Sequence, residues 1–279
     1  MPKLIGIIGC GTIGTELAIA IDKGRVKNVS VIVLFDKVKN AAESVRVKLQ
    51  NHNPSTYDSF QEFVSSSSFN KTDIIVEAAS QDALQRFGKT ILQSGKSLMI
   101  MSVGALADSH FLSELVDTAA KNLVRIYIPT GAIAGIDAIR SVRTVLDSVI
   151  LTTTKSPRAL VDAPFFDDAR IDMNKIMNRM LIYEGTAKDA VKKFPSNINV
   201  AAVLSLAGIG IEKTIVKIIV DPNANTNQHE IVATGKFGEI KISVNNIPSM
   251  TNPKTSFLAI LSAIECLSSA CNGIVRIGT

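Results

Sequence analysis

Through the first half of the chain, short continuous apolar runs alternate with stretches of helical period. Leu4 to Ile8, Val29 to Phe35, Asp73 to Val76, Ser97 to Val103 and Arg125 to Ile128 read as strands. Thr15 to Ile21, Lys39 to Leu49, Gln81 to Gln93 and Asp108 to Ala120 read as helices between them. Strands that are apolar on both faces and separated by helices predict a parallel sheet covered on both sides. Ser65 to Ser68 interrupts the rhythm and predicts a flexible surface loop.

Past Pro129 the pattern changes. Ser148 to Thr154, Ile215 to Val220, His229 to Ala233 and Ile240 to Val244 are rich in β-branched residues, and Gly235 and Gly238 stand between the last two. They predict antiparallel strands of a second sheet. Val200 to Ala207 is an apolar run preceded by Ser196, Asn197 and Asn199, all good N-cap residue types. Thr255 to Ala270 returns to helical period, and Gly273 to Ile277 predicts a short terminal strand. The fold class is therefore α/β: an N-terminal Rossmann-type parallel sheet, a second α+β domain with a mostly antiparallel sheet, and a C-terminal helix that returns to the first domain. The first domain is expected over 1–128, completed by 254–279. The second is expected over 129–253, with substrate handling and a dimer surface assigned to it.

Composition narrows the class further. With 279 residues and 46% hydrophobic content the chain can bury a sizeable core. The longest apolar candidate for a membrane span, Val200 to Ile211, contains Ser205, Gly208 and Gly210 and stops at Glu212, so no membrane partner is expected. No signal peptide is read at the N-terminus. The net charge is +5, but the lysines are scattered and no basic block interleaves with aromatics, so no nucleic-acid partner is expected. Cys10, Cys266 and Cys271 make no C-x-x-C pair and no even disulfide framework, which suits a reducing cytoplasm.

Candidate chemistry begins with Gly9-Cys10-Gly11-Thr12-Ile13-Gly14, which follows the first strand and opens the first helix. Gly9 permits a tight turn, Gly11 lets backbone N–H groups approach a pyrophosphate, and Gly14 lets the helix pack closely on the strand. Asp36, about 20 residues past the glycines at the end of the second strand, can accept hydrogen bonds from an adenosine ribose. Its carboxylate repels a 2′-phosphate and favours NAD, while Lys37 beside it leaves NADP open. Cys10 reads as a small filler of the turn. The strand ends Ala78-Ala79-Ser80, Ser102 to Ala105 and Thr130 to Gly135 are small-residue turns at the carboxyl edge of the sheet, where ligands of open α/β folds gather.

Three further segments suit the nicotinamide or a substrate. Asn199 can cap a helix or bond a carboxamide. His229 stands where a polar loop from Asp221 runs into a strand, and an imidazole exchanges protons near neutral pH. The following Glu230 has no second histidine at H-E-x-x-H spacing, so no metal site is expected. Asn252-Pro253-Lys254-Thr255-Ser256 brings an ammonium and hydroxyls to a helix start, a setting for a substrate carboxylate or for an ordinary cap.

Together these segments resemble the L-aspartate dehydrogenase family of nicotinamide-dependent enzymes. The matching stretches are the glycine fingerprint, Gly131 to Ala138, Phe194 through Ala202, Asp221 through Ile231, and Asn252 through Ser256. The resemblance implies oxidation of L-aspartate by NAD(P) to iminoaspartate, and with water to oxaloacetate and ammonia, a route that can feed NAD synthesis. It places the catalytic histidine on His229 and cofactor contacts on Ala132 and Asn199, beside Ala79 and the fingerprint. It implies substrate contacts at Asn252, Lys254, Thr255 and Ser256, and a homodimer is expected. Residues 161–193, with Phe165-Phe166-Asp167-Asp168, receive no functional reading. Rival readings are another amino-acid-pathway oxidoreductase, resembling homoserine dehydrogenase or dihydrodipicolinate reductase, and a non-catalytic NAD-sensing protein.

Overall fold

The computed structural model describes residues 2–160, 163–168, 176–195, 198–250, 252 and 255–272. The chain divides into two compact units, one of Met1–Pro129 with the C-terminal helix from Ile260 onward, the other of Thr130–Ala259.

In the first unit β1 (Lys3–Ile8), β2 (Val29–Phe35), β3 (Ser55–Tyr57), β4 (Ile74–Glu77), β5 (Ser97–Ile100) and β6 (Ile126–Tyr127) form one sheet. Its order is β3-β2-β1-β4-β5-β6, and every neighbouring pair is parallel. This is the doubly wound order, whose reversal between β1 and β4 opens a crevice at their carboxyl ends. The helices are α1 (Thr12–Asp22), α2 (Ala41–Arg46), α3 (Phe60–Ser65), α4 (Ser67–Lys71), α5 (Gln81–Gln93) and α6 (Ser109–Lys121). In α1 the buried residues Gly14, Leu17, Ala18 and Ile21 recur at one-turn spacing and face the sheet. Ile260, Ala263, Ile264 and Leu267 of the C-terminal helix join Ile5, Ile7, Val31, Leu34 and Val76 in the same core.

The stretch Ser65 to Ser68 is not the flexible loop its composition predicts. Ser66 donates its hydroxyl to the Phe63 carbonyl at 2.7 Å and accepts from the Phe69 N–H at 3.0 Å, closing α3 and capping α4 with one side chain. Phe63 and Phe69 are fully buried and meet with ring centroids 5.1 Å apart. The predicted helix over Lys39 to Leu49 is shorter, at Ala41–Arg46, and the strand from Ser97 ends at Ile100. A 3₁₀ turn, Val103–Ala107, follows it before Asp108 caps α6 by accepting from the N–H groups of His110 and Phe111 at 2.9 and 3.1 Å.

The second unit is built on β7 (Leu146–Lys155), β8 (Met180–Thr186), β9 (Ile215–Val220), β10 (Asn227–Gly235) and β11 (Gly238–Asn246), in the order β11-β10-β7-β9-β8. All pairs are antiparallel except β7 with β9, so the sheet is mixed. The strand β8 carries no period that marks it in the sequence. Helices α7 (Ile136–Val142), α8 (Phe165–Asp168), α9 (Ala187–Lys193), α10 (Asn199–Ala207) and α11 (Phe257–Asn272) complete the set. The N-cap of α10 is Ile198, with no side-chain cap bond, so Asn199 is the first helical residue and not a cap. The predicted terminal strand, Gly273 to Ile277, lies outside the described residues. Among the described residues no helix is long and apolar enough to cross a membrane.

Candidate functional site

The fingerprint of the first unit is built so that side chains are excluded. Gly9 has φ +94°, and a Cβ there would lie 2.5 Å from the Ala78 carbonyl oxygen across the switch point. A Cβ on Gly14 would collide with the Gly9 carbonyl oxygen, whereas Gly11 faces open space. Gly11 also occupies the N-cap of α1 without supplying a side-chain acceptor. The first N–H groups of the helix, at Thr12, Ile13 and Gly14, are thus left for an incoming anion.

A cleft of about 300 Å³ opens beside this turn, lined by Gly9, Gly11, Asp36, Ala79, Arg86 and Phe87 among others. Asp36 is engaged: its carboxylate accepts from the Cys10 N–H at 2.7 Å and from the Val38 N–H at 2.8 Å. The carboxylate therefore locks the glycine turn to the end of β2. Lys37 lies in the same lining. Burial, and then the Asp36 charge, push the Cys10 thiol up to about 12, which leaves it protonated and unreactive. A dinucleotide fits this arrangement: an open backbone for the pyrophosphate, a carboxylate at the strand end for a ribose, and an apolar wall for the base.

Sequence reasoning missed the group that holds the opposite wall. Glu77 ends β4 and is 1% exposed. Its carboxylate accepts from Ala79 N–H at 2.8 Å, from Ser102 N–H at 3.0 Å and from the Ser102 hydroxyl at 2.8 Å. It ties the turn after β4 to the turn after β5 and so sets Ala79 in the cleft. Burial outweighs these donors and raises its pKa above the usual carboxylate range.

In the second unit, one face of the sheet is apolar at one end and polar at the other. Val149 and Leu151 on β7 stand opposite Ala233 and Ile231 on β10. Continuing along the ladder, Thr153 stands opposite His229, and Asn227 stands opposite Asn246 on β11. Thr153, Asn227, His229 and Asn246 are all buried, His229 to 2% exposure. The Thr153 hydroxyl lies 3.0 Å from His229 Nδ1. Asn246 donates its amide to the Ala132 carbonyl at 2.9 Å, and Asn227 donates to the Ser256 hydroxyl at 3.4 Å.

The polar end thus gathers three of the segments named from sequence. Ala132 and Ser256 are tied to it, His229 belongs to it, and Thr255 lies in the loop closed by the Pro248 and Ser256 bridge. The Thr255 N–H bonds the Asn252 carbonyl at 3.0 Å, so Asn252 belongs to the same loop. Asn199 sits exposed at the start of α10. Lys254 lies outside the described residues, and nothing is described of the side chains of Asp167 and Asp168. His229 is a strand residue and not a loop residue, the third position of β10. Burial first, and the Lys155 charge second, push its pKa down to about 3, so the imidazole is neutral at physiological pH. Among the described residues no cluster of His, Cys, Asp and Glu suits a metal ion. Sequence reasoning missed Thr153; alternation along β7 places it on the buried face, but nothing local marks it as the partner of His229.

A doubly wound sheet with a glycine turn at its switch point, followed by a mixed sheet bearing a buried neutral histidine, places the protein among two-unit nicotinamide-nucleotide dehydrogenases. Residues 9–129 match the NAD-binding domain of homoserine dehydrogenase, and residues 137–270 match the C-terminal domain of aspartate dehydrogenase. An L-aspartate dehydrogenase of Nitrosopumilus maritimus is 45% identical over 99% of this chain and 100% of its own. One from Methanosarcina mazei is 43% identical over 99% of both chains. The crystal structure of aspartate dehydrogenase from Thermotoga maritima shares the fold, with a TM-score of 0.76, 24% identity, and coverage of 99% of this chain and 100% of that one. The chain belongs to the L-aspartate dehydrogenase family.

Proposed function

We propose that the protein is an L-aspartate dehydrogenase that oxidises L-aspartate with NAD(P) to iminoaspartate, which water converts to oxaloacetate and ammonia. The observation that carries this reading is the buried His229, held at Nδ1 by Thr153, at the polar end of an otherwise apolar sheet face. Oxidation of the amine removes a hydride from Cα and a proton from nitrogen. The nicotinamide ring, when bound, supplies the hydride acceptor. His229 takes the proton: with Nδ1–H donating to the Thr153 oxygen, Nε2 keeps its lone pair, and the neutral imidazole is in the accepting form.

The remaining roles follow the same reading. Gly9, Gly11, Thr12, Ile13 and Gly14 receive the pyrophosphate, Asp36 the ribose, and Ala79 lines the cofactor cleft. Ala132 and Asn199 are assigned to the cofactor as well. Asn252, Lys254, Thr255 and Ser256 hold the substrate carboxylates. The first unit is then the dinucleotide-binding domain and the second the substrate and dimer-forming domain. The small-molecule substrate, a cytoplasmic location, a homodimeric state and a supply of iminoaspartate to NAD synthesis complete the assignment.

The test is nicotinamide absorbance on mixing the purified protein with L-aspartate and NAD, in parallel with NADP, L-glutamate and homoserine. Reduction with aspartate, falling about 10²-fold or more in a His229→Ala variant that still binds NADH, is the expected result. Equal turnover in that variant would remove His229 from the chemistry. Silence with aspartate and activity with another substrate would overturn the reading itself.

A further inference from the structure

The assignment above gives the substrate carboxylates to the loop around Ser256 and one proton to His229, and leaves the other hydrogens of the reacting nitrogen without acceptors. Two buried amides stand beside His229. Asn227 lies two residues before it on β10, so its side chain leaves the sheet on the same face. Asn246 ends β11 and stands directly opposite Asn227 in the antiparallel ladder. Such a pairing sets the two Cβ atoms about 5 Å apart. Asn227 is 6% exposed and Asn246 3%, and both belong to the second unit.

Each amide is oriented by the group to which its nitrogen donates. Asn246 gives an N–H to the Ala132 carbonyl at 2.9 Å. A carbonyl oxygen only accepts, so the amide nitrogen of Asn246 must face Ala132 and its Oδ1 is turned elsewhere. Asn227 gives an N–H to the Ser256 hydroxyl at 3.4 Å, which keeps its Oδ1 as an acceptor and lets the Ser256 O–H donate in turn. Among the described residues, neither Oδ1 meets a hydrogen-bond donor.

We propose that Asn246 and Asn227 bind the amino group of the substrate, their Oδ1 atoms accepting N–H bonds from the nitrogen that is oxidised while His229 takes its proton. The inference rests on the reading of this polar end as the substrate site. An amine carried out of water into a buried place needs acceptors for its hydrogens. Neutral amide oxygens supply them without a negative charge, which would repel the two carboxylates of an aspartate-like ligand. The same oxygens serve the nitrogen before and after oxidation. The ammonium has three N–H donors, and one of its protons passes to Nε2 of His229. Once the hydride has left Cα, the protonated imine keeps two N–H donors, one for each amide. With Ser256 donating to a carboxylate and the two amides accepting from the amine, this end of the sheet selects an amino acid over its desamino counterpart.

The experiment is a calorimetric titration of the full-length protein with NADH present, a condition under which aspartate is not oxidised. It compares L-aspartate with succinate, the same dicarboxylate without the amino group. The parent is expected to bind L-aspartate about 10- to 100-fold more tightly than succinate, the range of a hydrogen bond that involves a charged group. In Asn246→Ala that preference is expected to fall about 10-fold or more through weaker binding of aspartate, with succinate affinity nearly unchanged. Asn227→Ala leaves the Ala132 tie in place and is expected to lower the preference as well, so the test survives if Asn246→Ala does not fold. A role confined to holding the Ala132 turn or the Ser256 hydroxyl would weaken both ligands alike. Equal losses for the two ligands in the variants, or a parent that binds them equally, overturn the amine site and leave the proposed function standing. A parent that prefers aspartate through these amides and yet reduces neither NAD nor NADP with it keeps the amine site and removes that function.

Discussion

His229 Nδ1 and the Thr153 hydroxyl meet at 3.0 Å, on strands that run antiparallel and from positions 76 residues apart in the chain. The contact fixes the ring of a buried histidine from the side away from its second nitrogen. A neutral imidazole has one donor and one acceptor, and when Nδ1–H donates to the hydroxyl oxygen, Nε2 is the acceptor. Thr153→Val keeps the shape of the side chain and removes that partner. We expect kcat to fall about 10-fold, in line with a lost buried hydrogen bond of roughly 1 to 1.5 kcal/mol, with NADH affinity unchanged. Steady-state kinetics with a parallel NADH titration decide it, and an unaltered kcat would show that the ring needs no such anchor.

The same histidine makes the second unit sensitive to acid. Its folded pKa, about 3, lies below the ordinary 6.5, because burial and the Lys155 charge disfavour the imidazolium. The sign follows directly: between pH 6.5 and 3 the unfolded chain binds a proton that the folded chain refuses. The contribution is fully present above the upper value and is lost as pH falls through this window, by about 1.4 kcal/mol per pH unit. A His229→Gln variant should show a shallower loss of stability from pH 7 to pH 4.5 in urea unfolding. Parallel pH dependences for the two proteins would mean that the imidazole is charged in the folded state.

Asp36 has two tasks, which a single substitution separates. The carboxylate holds the Cys10 and Val38 N–H groups, and it presents a negative charge in a cleft that Lys37 and Arg86 also line. Asp36→Ser removes the charge and keeps a short polar side chain. The kcat/KM ratio of NADP to NAD should rise about 10-fold or more, because Lys37, and Arg86 with its ion-pair partner Asp82, then meet a 2′-phosphate without the Asp36 carboxylate. A ratio that stays put would place cofactor choice elsewhere in the cleft.

Glu77 is the structural counterpart of Asp36 on the other wall. Glu77→Leu leaves the Ala79 N–H, the Ser102 N–H and the Ser102 hydroxyl without their acceptor. Unsatisfied buried groups cost about 1 to 3 kcal/mol each, so a destabilisation of about 3 kcal/mol is expected, accompanied by weaker NADH binding. Glu77→Gln retains one acceptor oxygen and should lie between. Urea midpoints and NADH fluorescence report the two effects, and a Leu variant as stable as the parent would sink the assignment of Glu77 as the tie between β4 and β5.

Much of the first unit was legible in the residues. Val29 to Phe35 and Gln81 to Gln93 are observed with the bounds their patterns predict, because continuous apolar runs and one-turn periodicity are local properties. The fingerprint was legible for the same reason: its glycines answer to backbone geometry within a few residues. The serine tract was misread because composition reports solvation, whereas Ser66 spends its hydroxyl on Phe63 and Phe69 and the two rings bury themselves. Asn199 was misread as a possible cap because capping depends on where the helix begins, and α10 begins at Asn199 itself.

The sequence by itself determined most of the elements of the first unit, the alternation of faces along each strand, the glycine turn at Gly9 to Gly14 and the candidacy of His229 among three histidines. Only the tertiary structure decided that Thr153 and Lys155 share a face with His229, that Asn227 and Asn246 tie Ser256 and Ala132 to its polar end, and that Glu77 joins two turns. The reason is physical. Backbone conformation and side-chain direction follow from neighbours in the chain, but strand register and buried pairing are set by packing between segments far apart in sequence, where no local period records the partner.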